Sequence, residues 1–561
     1  MTTSLAIRMR RLLWTPVRIE ANRQVARWRR GVERVRATQA ALLERILGDA
    51  ARTDFGADFR LASARTVDDL RARMPMAGYE RAEPYIQRVA QGDTGALFPP
   101  GTRLRMFAMT SGTTGRPKYI PITDQGLKAY REGWHVWGAC ALNDHFSAFG
   151  AKILQVSSRM DEQITPGGVP AGAISGLSAQ SQRRVVRRFY VCAAASIAAG
   201  DTASKYYLLC RLGLDCDRVM PVTANPSTLI GLARAMDERK EDLLRDYADG
   251  TLADGLNLPD PVRRMVESRL RPRPDRAREL ERTVRATGRL YPKDVWEIPL
   301  IGTWTGGTLG LYLKEMPRYW GEAPVRDIGL IASEGRFSIP LTTAGRAGVL
   351  EGTATFYEFV PADRLDEPLT DTLLAHEAEV GQRYGLVITT PGGLFRYNMN
   401  DVVRVVDRLG EAPVIEFLNK GEHVANLTGE KLTEHQVTAA VNTCAGRLGL
   451  RLDGYCLCPA WGEVPGYSLL VEEDDVPADA APALAAEVDA GLRRSNIEYE
   501  SKRASGRLKG VCVKTLPAGA WEQYDRDLIA SRRGRVEQYK HKFLVPEVDF
   551  EKQFRILAEY A

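Results

Sequence analysis

The chain has 561 residues, 44% hydrophobic and 26% charged, with a formal net charge of +6. That length exceeds one ordinary core and that composition is globular, so two or more packed domains are expected. Ten arginines stand against only Glu20 and Glu33 in residues 1–36, so the rest is close to neutral and argues against a nucleic-acid-binding body.

Residues 1–50 read as helix, with apolar residues at helical spacing (Leu13 and Val17; Val32 and Val35; Leu42, Leu43, Ile46 and Leu47). The basic face of 8–36 is either solvated or turned toward an anionic membrane or a partner subunit. The N-terminus lacks the apolar stretch of a signal peptide, and no apolar run approaches the roughly 18 residues of a membrane span. A helix ending near Phe59 and a short one over 67–73 follow, the second broken by Met74-Pro75.

An apolar run from Leu104 to Met109 reads as a strand and delivers Thr110-Ser111-Gly112-Thr113-Thr114-Gly115-Arg116-Pro117-Lys118. Glycines let successive N–H groups turn into one concavity, the hydroxyls add donors, and Lys118 supplies a movable positive charge, which together suit phosphate oxygens. The plainer reading is a Ser/Thr/Gly surface turn. No lysine directly follows a glycine, so this is not the GxxxxGK[ST] loop of P-loop NTPases.

Asp124 to Phe146 reads as a helix, Lys152 to Val156 as a strand, and 165–181 as a loop rich in Gly, Ser and Pro. Long loops in compact domains are often functional. The stretches 124–140, 165–181 and 204–225 are candidate substrate-pocket walls. Helices are expected at 204–214, 227–236 and 260–287, the last interrupted at Pro272 and Pro274. A strand over 327–332 leads to Ser333-Glu334-Gly335, placing a carboxylate where open α/β sheets bind ligands. Glu334 can hold Mg²⁺ through one oxygen, or merely cap a turn. Strands follow at 353–360, 384–390 and 394–406. Asp401 is an acid inside a strand-forming run, costly unless partnered, and a ribose diol would partner it. Tyr357 can stack on adenine or fill the core.

Charged and glycine residues at 418–423 mark a boundary and hinge between domains 1–420 and 421–561. The second domain shows an α+β pattern with helices at 434–448 and 480–494 and strands near 455, 467–471 and 510–514. Only 15 of the 77 basic residues are lysine, so Lys118, Lys431, Lys540 and Lys542 stand out in their motifs. The eight cysteines and six histidines are dispersed, which fits reduced thiols in a cytoplasmic protein without a His-held metal.

Taken together, Thr110–Thr123 (TSGTTGRPKYIPIT), Gly329–Gly335 (GLIASEG), Thr355–Val360 (TFYEFV), Tyr384-Gly385-Leu386-Val387, Arg396–Val403, Gly429–Glu434 (GEKLTE) and Gln538-Tyr539-Lys540 resemble the Gretchen Hagen-three family of acyl acid amido synthetases over nearly the whole chain. That family lies within the adenylate-forming superfamily, and the chain is expected to be a bacterial member. The resemblance implies an α/β fold. Its large N-terminal domain would hold mixed sheets, helices and a small β-barrel, and its smaller C-terminal α+β domain would be mobile. It implies ATP and Mg²⁺ as cofactors. The implied reaction activates a carboxylic acid as acyl-AMP and passes it to an amine, most simply an amino acid. Carried onto this sequence, Thr110, Ser111, Gly112, Thr113, Thr114 and Lys118 line the phosphates. Ser333 and Glu334 lie at the α-phosphate, with Glu334 on the metal, Tyr357 lies near adenine and Asp401 on the ribose. Lys431 and Lys540 reach the adenylate from the small domain. Small-molecule substrates, no nucleic acid, no integral membrane segment and a monomer are expected.

Two departures stand out. The family's Tyr-Arg-(Val/Ile)-Gly-Asp is Tyr397-Asn398-Met399-Asn400-Asp401 here, and Gln-Tyr-Lys is followed by His541-Lys542-Phe543, making Lys542 a rival to Lys540. An acid–thiol ligase forming a coenzyme A thioester and a catalytically silent nucleotide-binding protein are the alternative readings.

Overall fold

The structure, a computed structural model, describes residues 2–110, 118–180, 182, 184–191, 198–306, 309–365, 367, 371–419, 424–452, 454–524 and 542–561. They form two compact units, the larger built on Met1–Met109 and Tyr119–Asn419 and the smaller on Thr110–Lys118 together with Lys420–Ala561.

The larger unit begins with helices Thr2–Glu33 and Val35–Ala50. Val32, Val35, Leu42, Leu43, Ile46 and Leu47 recur at helical spacing, and all are buried in the main core. Polar ties fix this pair in place. Gln39 Nε2 donates to the carbonyls of Gly352 (2.7 Å) and Thr355 (2.8 Å), and its Oε1 accepts the Tyr357 N–H (2.8 Å). Thr15 to Glu20, by contrast, are exposed.

A four-stranded sheet runs in the order Lys118–Thr123, Leu104–Thr110, Pro170–Gly172, Gln163–Ile164. The sequence reading of 165–181 as a plain loop is corrected here. Pro170–Gly172 pairs in parallel with Phe107 and Ala108, and Ile174–Gln180 is helical. The glycines taken for loop signals serve close approach instead. A Cβ at Gly172 would meet the Arg159 carbonyl at 2.6 Å, and one at Gly176 the Ser158 carbonyl at 2.3 Å. Helix Asp124–Asp144 follows the sheet, capped by the Thr123 hydroxyl accepting the Gly126 N–H at 3.2 Å.

A seven-stranded antiparallel sheet carries the second half of this unit, ordered Ser338–Ile339, Gly348–Leu350, Ala412–Asn419, Tyr397–Leu409, Arg383–Thr389, Phe356–Pro361, Leu373–Leu374. Its two end strands are two residues each and do not pair with each other, so among the described residues the expected barrel is an open sheet. Barrel closure requires the end strands to complete the stagger around a ring, and these are too short to do so. The stretch expected as a strand over 327–332 is instead a two-stranded hairpin. Ile331–Ala332 pairs with Gly335–Arg336, leaving Ser333 and Glu334 in the turn. The arginine-rich stretch 260–287 divides into Asp260–Glu267 and Pro274–Thr287 at the prolines, as expected.

The smaller unit has a four-stranded sheet ordered Tyr455–Ala460, Gly466–Glu472, Val511–Leu516, Ala558–Tyr560. Helices Glu434–Arg447, Ala481–Ser495 and Ile497–Ala504 contribute to its apolar core through Val437, Val441, Leu484, Val488, Leu492 and Tyr499. Cys456, Cys458, Leu470, Trp521 and Phe550 make a second, separate cluster. Burial pushes both thiols up, so neither is a reactive nucleophile.

Candidate functional site

Strands Leu104–Thr110 and Lys118–Thr123 bring Thr110 and Lys118, both half-buried, to the two ends of the hydroxyl-rich stretch. Ser111, Gly112, Thr113 and Thr114 lie outside the described residues, as does Lys540. Just beyond Lys118, Tyr79 and Tyr119 are locked together. The Tyr79 hydroxyl donates to the Tyr119 carbonyl and accepts the Tyr119 N–H, both at 2.9 Å.

Glu334 is half-buried in its hairpin turn, and the Tyr397 hydroxyl donates to its Oε1 over a long 3.5 Å. Ser333 precedes it in the same turn, also half-buried. Asp401 is 1% exposed. Burial first, and then the charges of Glu334 and Asp401 with Tyr79 beside them, push the Tyr397 phenol well above its ordinary value. Two carboxylates and two tyrosines thus share one neighbourhood, with the Tyr397 hydroxyl turned to Glu334.

A bulge makes this arrangement. Asn398 pairs with Val387 and Val402 with Gly385, so three residues of one strand, Met399, Asn400 and Asp401, oppose the single Leu386. Asn400 takes the left-handed conformation at φ 58°, and its N–H donates to the Asn398 side-chain oxygen at 2.9 Å. Asparagine is the residue other than glycine that tolerates this region best, so replacing the family's glycine preserves the turn before Asp401. The strand's entry is held as firmly. Arg396, fully buried at φ 44°, donates through Nε to Glu358 Oε2 (3.0 Å) and through Nη1 to the Met74 carbonyl (2.8 Å). Arg71 meets the other oxygen of Glu358 at 3.3 Å.

Tyr357 sits differently from what stacking on a base requires. Its ring has no exposed surface and packs edge-on against Phe337 with centroids 6.2 Å apart, so in this arrangement it is a core side chain. Sequence reasoning assigned no role to Tyr79, whose contact with Tyr119 spans 40 residues and leaves no local signal, or to Arg396, which was quoted only as part of a motif.

The donor set bears on a metal. No group of three acidic, His or Cys side chains converges among the described residues. Mg²⁺ needs only one or two carboxylates beside substrate phosphates and water, and half-buried Glu334 fits that requirement.

In the smaller unit, buried Glu430 clamps the loop that presents Lys431. Its oxygens accept the Leu427 N–H (2.6 Å), the Thr428 N–H (2.8 Å), the Thr428 hydroxyl (2.7 Å) and the Tyr467 hydroxyl. Asn496 Nδ2 holds the carbonyls of Glu430 and Lys431 at 2.8 and 3.1 Å. Lys431 has φ 44°, and its Nζ lies 3.9 Å from Glu498. Nearby Lys502 escaped the sequence reading. Burial, and then Arg507, pull its ammonium down to about 7, while Glu498 and Glu430 oppose the shift. Lys542 is half-buried at the start of a segment whose Phe543 N–H donates to Glu434 at 2.7 Å and whose Phe543 carbonyl accepts the Leu457 N–H at 2.9 Å.

Models of three domains match the chain: the GH3 family N-terminal domain over residues 25–325, the central domain over 348–420 and the C-terminal domain over 435–549. A jasmonoyl–L-amino acid synthetase of Oryza sativa subsp. japonica is 26% identical over 541 residues, covering 90% of this chain and 91% of the relative. An indole-3-acetic acid-amido synthetase of Arabidopsis thaliana is 22% identical over 532 residues, covering 90% and 88%. Among solved structures, an acyl acid amido synthetase in complex with 2,4-DB superposes with a TM-score of 0.65 at 18% identity, covering 96% of this chain and 97% of the other. A 2-hydroxyisobutyryl-CoA ligase superposes at 0.50 and 14%, covering 93% and 91%. These two structural likenesses speak to the fold.

Proposed function

The chain belongs to the GH3 family, and we propose that it is an ATP-dependent acyl acid amido synthetase forming a carbon–nitrogen bond between a carboxylic acid and an amine, most simply an amino acid. The observation that carries the reading is the buried Asp401, set by a left-handed residue inside a bulge of the strand whose Tyr397 hydroxyl reaches Glu334.

A carboxylate is a poor electrophile, so an amide requires a better leaving group. A carboxylate oxygen attacks the α-phosphorus of ATP, the bond to pyrophosphate breaks, and acyl-AMP forms. The amine nitrogen then attacks the acyl carbon, AMP departs, and the amine proton passes to solvent or to a base. In the first step Lys118, the 110–114 hydroxyls and backbone N–H groups stabilise the charge that accumulates on phosphate oxygens. Asp401 accepts from the ribose hydroxyls. Ser333 and Glu334 orient the α-phosphate, and Tyr397 holds Glu334 in place. Glu334 would hold Mg²⁺, which would neutralise phosphate charge when bound. Tyr357 supports the adenine side from within the core.

In this reading residues 1–420 form the domain that binds ATP and the acid. Residues 421–561 form a mobile domain that turns about 418–423 and brings Lys431 and Lys540, or its rival Lys542, to the adenylate. The protein would act in the cytoplasm as a monomer. No helix among the described residues is long and apolar enough to cross a membrane.

Incubating the protein with ATP, magnesium and a panel of carboxylic acids and amino acids tests this. Acid-dependent release of AMP with a conjugate of the summed mass is expected, and Asp401→Asn should reduce kcat/KM for ATP by about 10²–10³. Thioester in place of amide when coenzyme A is supplied would reassign the acceptor. Absence of pyrophosphate exchange across the whole panel would remove the activity.

A further inference from the structure

Arg336 lies two residues beyond Glu334, on the second strand of the same hairpin. It is 4% exposed, yet its Nε and Nη1 meet no acceptor among the described residues, and only Nη2 donates, to the Ile328 carbonyl. Its guanidinium lies over the Trp134 ring at 4.7 Å, and Tyr130 packs edge-on against that ring with centroids 6.5 Å apart. Helix Asp124–Asp144 makes room for it with a glycine. A Cβ at Gly133 would come within 2.5 Å of Arg336 Cδ.

The neighbouring acids do not answer this charge directly. Asp327 already accepts the Gly329 N–H (2.6 Å) and the Thr305 N–H and hydroxyl (both 2.7 Å). Glu351 accepts from Trp28 (3.1 Å), Ala354 (3.1 Å) and the Thr353 hydroxyl. A buried cation with unmet donors is costly and rare unless something completes its shell. An arginine guanidinium carries its charge at neutral pH wherever it is placed.

We propose that Arg336, backed by Trp134 and Tyr130, forms the far wall of the acid-binding pocket, and that the acid activated here carries a second carboxylate set back from the one that reacts. This rests on the acid-activating reading above, in which the reacting carboxyl meets the α-phosphate that Glu334 orients. Two residues of chain span at most about 7 Å, within the reach of a short dicarboxylic acid. Trp134 covers the guanidinium face, and the unmet N–H edges supply charge-assisted hydrogen bonds. The alternative is a structural brace that merely offsets Asp327 and Glu351.

Matched acids separate the two roles. Pyrophosphate release is measured with hexanoate against adipate and benzoate against isophthalate, for the wild type, Arg336→Met and Arg336→Lys. The wild type should favour the diacid of at least one pair by about tenfold or more in kcat/KM. Arg336→Met should cut that ratio at least tenfold through KM, and Arg336→Lys should restore part of it. A wild type that prefers the monoacid of both pairs overturns the proposal without help from any variant. So does an Arg336→Met protein that retains the fold and leaves the ratio unmoved. If no acid at all supports release, the activation reading falls and takes this inference with it.

Discussion

Asn400 shows how one backbone angle can decide a site. At φ 58° it occupies a region that costs an ordinary L-residue roughly 1–2 kcal/mol, and it immediately precedes the buried carboxylate of Asp401. Asn400→Val should therefore destabilise the protein by about 1–2 kcal/mol and raise KM for ATP, while Asn400→Gly should hold both near wild type; urea unfolding and ATP titration of initial rates check this. The sequence marked Asp401 as an acid out of place in a strand, and that signal survived. It could not reveal that Asn400 keeps the left-handed conformation a glycine would take there, because such an angle has no signature beyond residue tolerance. Tyr357 was ambiguous for a related reason. Alternation along a strand identifies two faces without telling which is wet, and here both faces of Phe356–Pro361 are buried up to Val360.

The loop 427–431 and helix Ile497–Ala504 act as a pair, joined by Asn496 and by the contact between Lys431 and Glu498. Lys502 on that helix keeps its proton only up to about pH 7 in the folded chain, against about 10.5 when unfolded. Between those values the unfolded chain binds more protons, so this group makes stability rise with pH across that window. Lys502→Met should consequently gain about 1–2 kcal/mol at pH 6, after allowing for solvent screening of a partly exposed side chain, and lose that advantage by pH 10. Thermal unfolding at the two pH values reads the difference. Long elements were legible from periodicity alone, as with 124–144 and 434–447, because each has several turns of pattern to average over. The segment 170–180 was not, since its glycines fit a loop and a tight packing contact equally well.

Two half-reactions in one chain invite a division of labour between the units. If the small unit serves the second step, Lys431→Ala should leave acid-dependent pyrophosphate exchange within about threefold of wild type and slow amide formation by about 10² or more. Measuring both rates on one preparation decides it, and equal loss in both would place Lys431 in the first step. The large unit's halves are joined by ties that span hundreds of positions, such as Gln39 to Gly352 and Arg71 to Glu358. No local pattern foretells such ties, although the motif around Glu358 was plain. In the smaller unit, Ala558–Tyr560 flanks Val511–Leu516 as the outermost strand of the sheet. Those few terminal residues work as a selvage. A shortened chain lacking them would leave the hydrogen-bonding rim of Val511–Leu516 open to foreign strands and prone to clump.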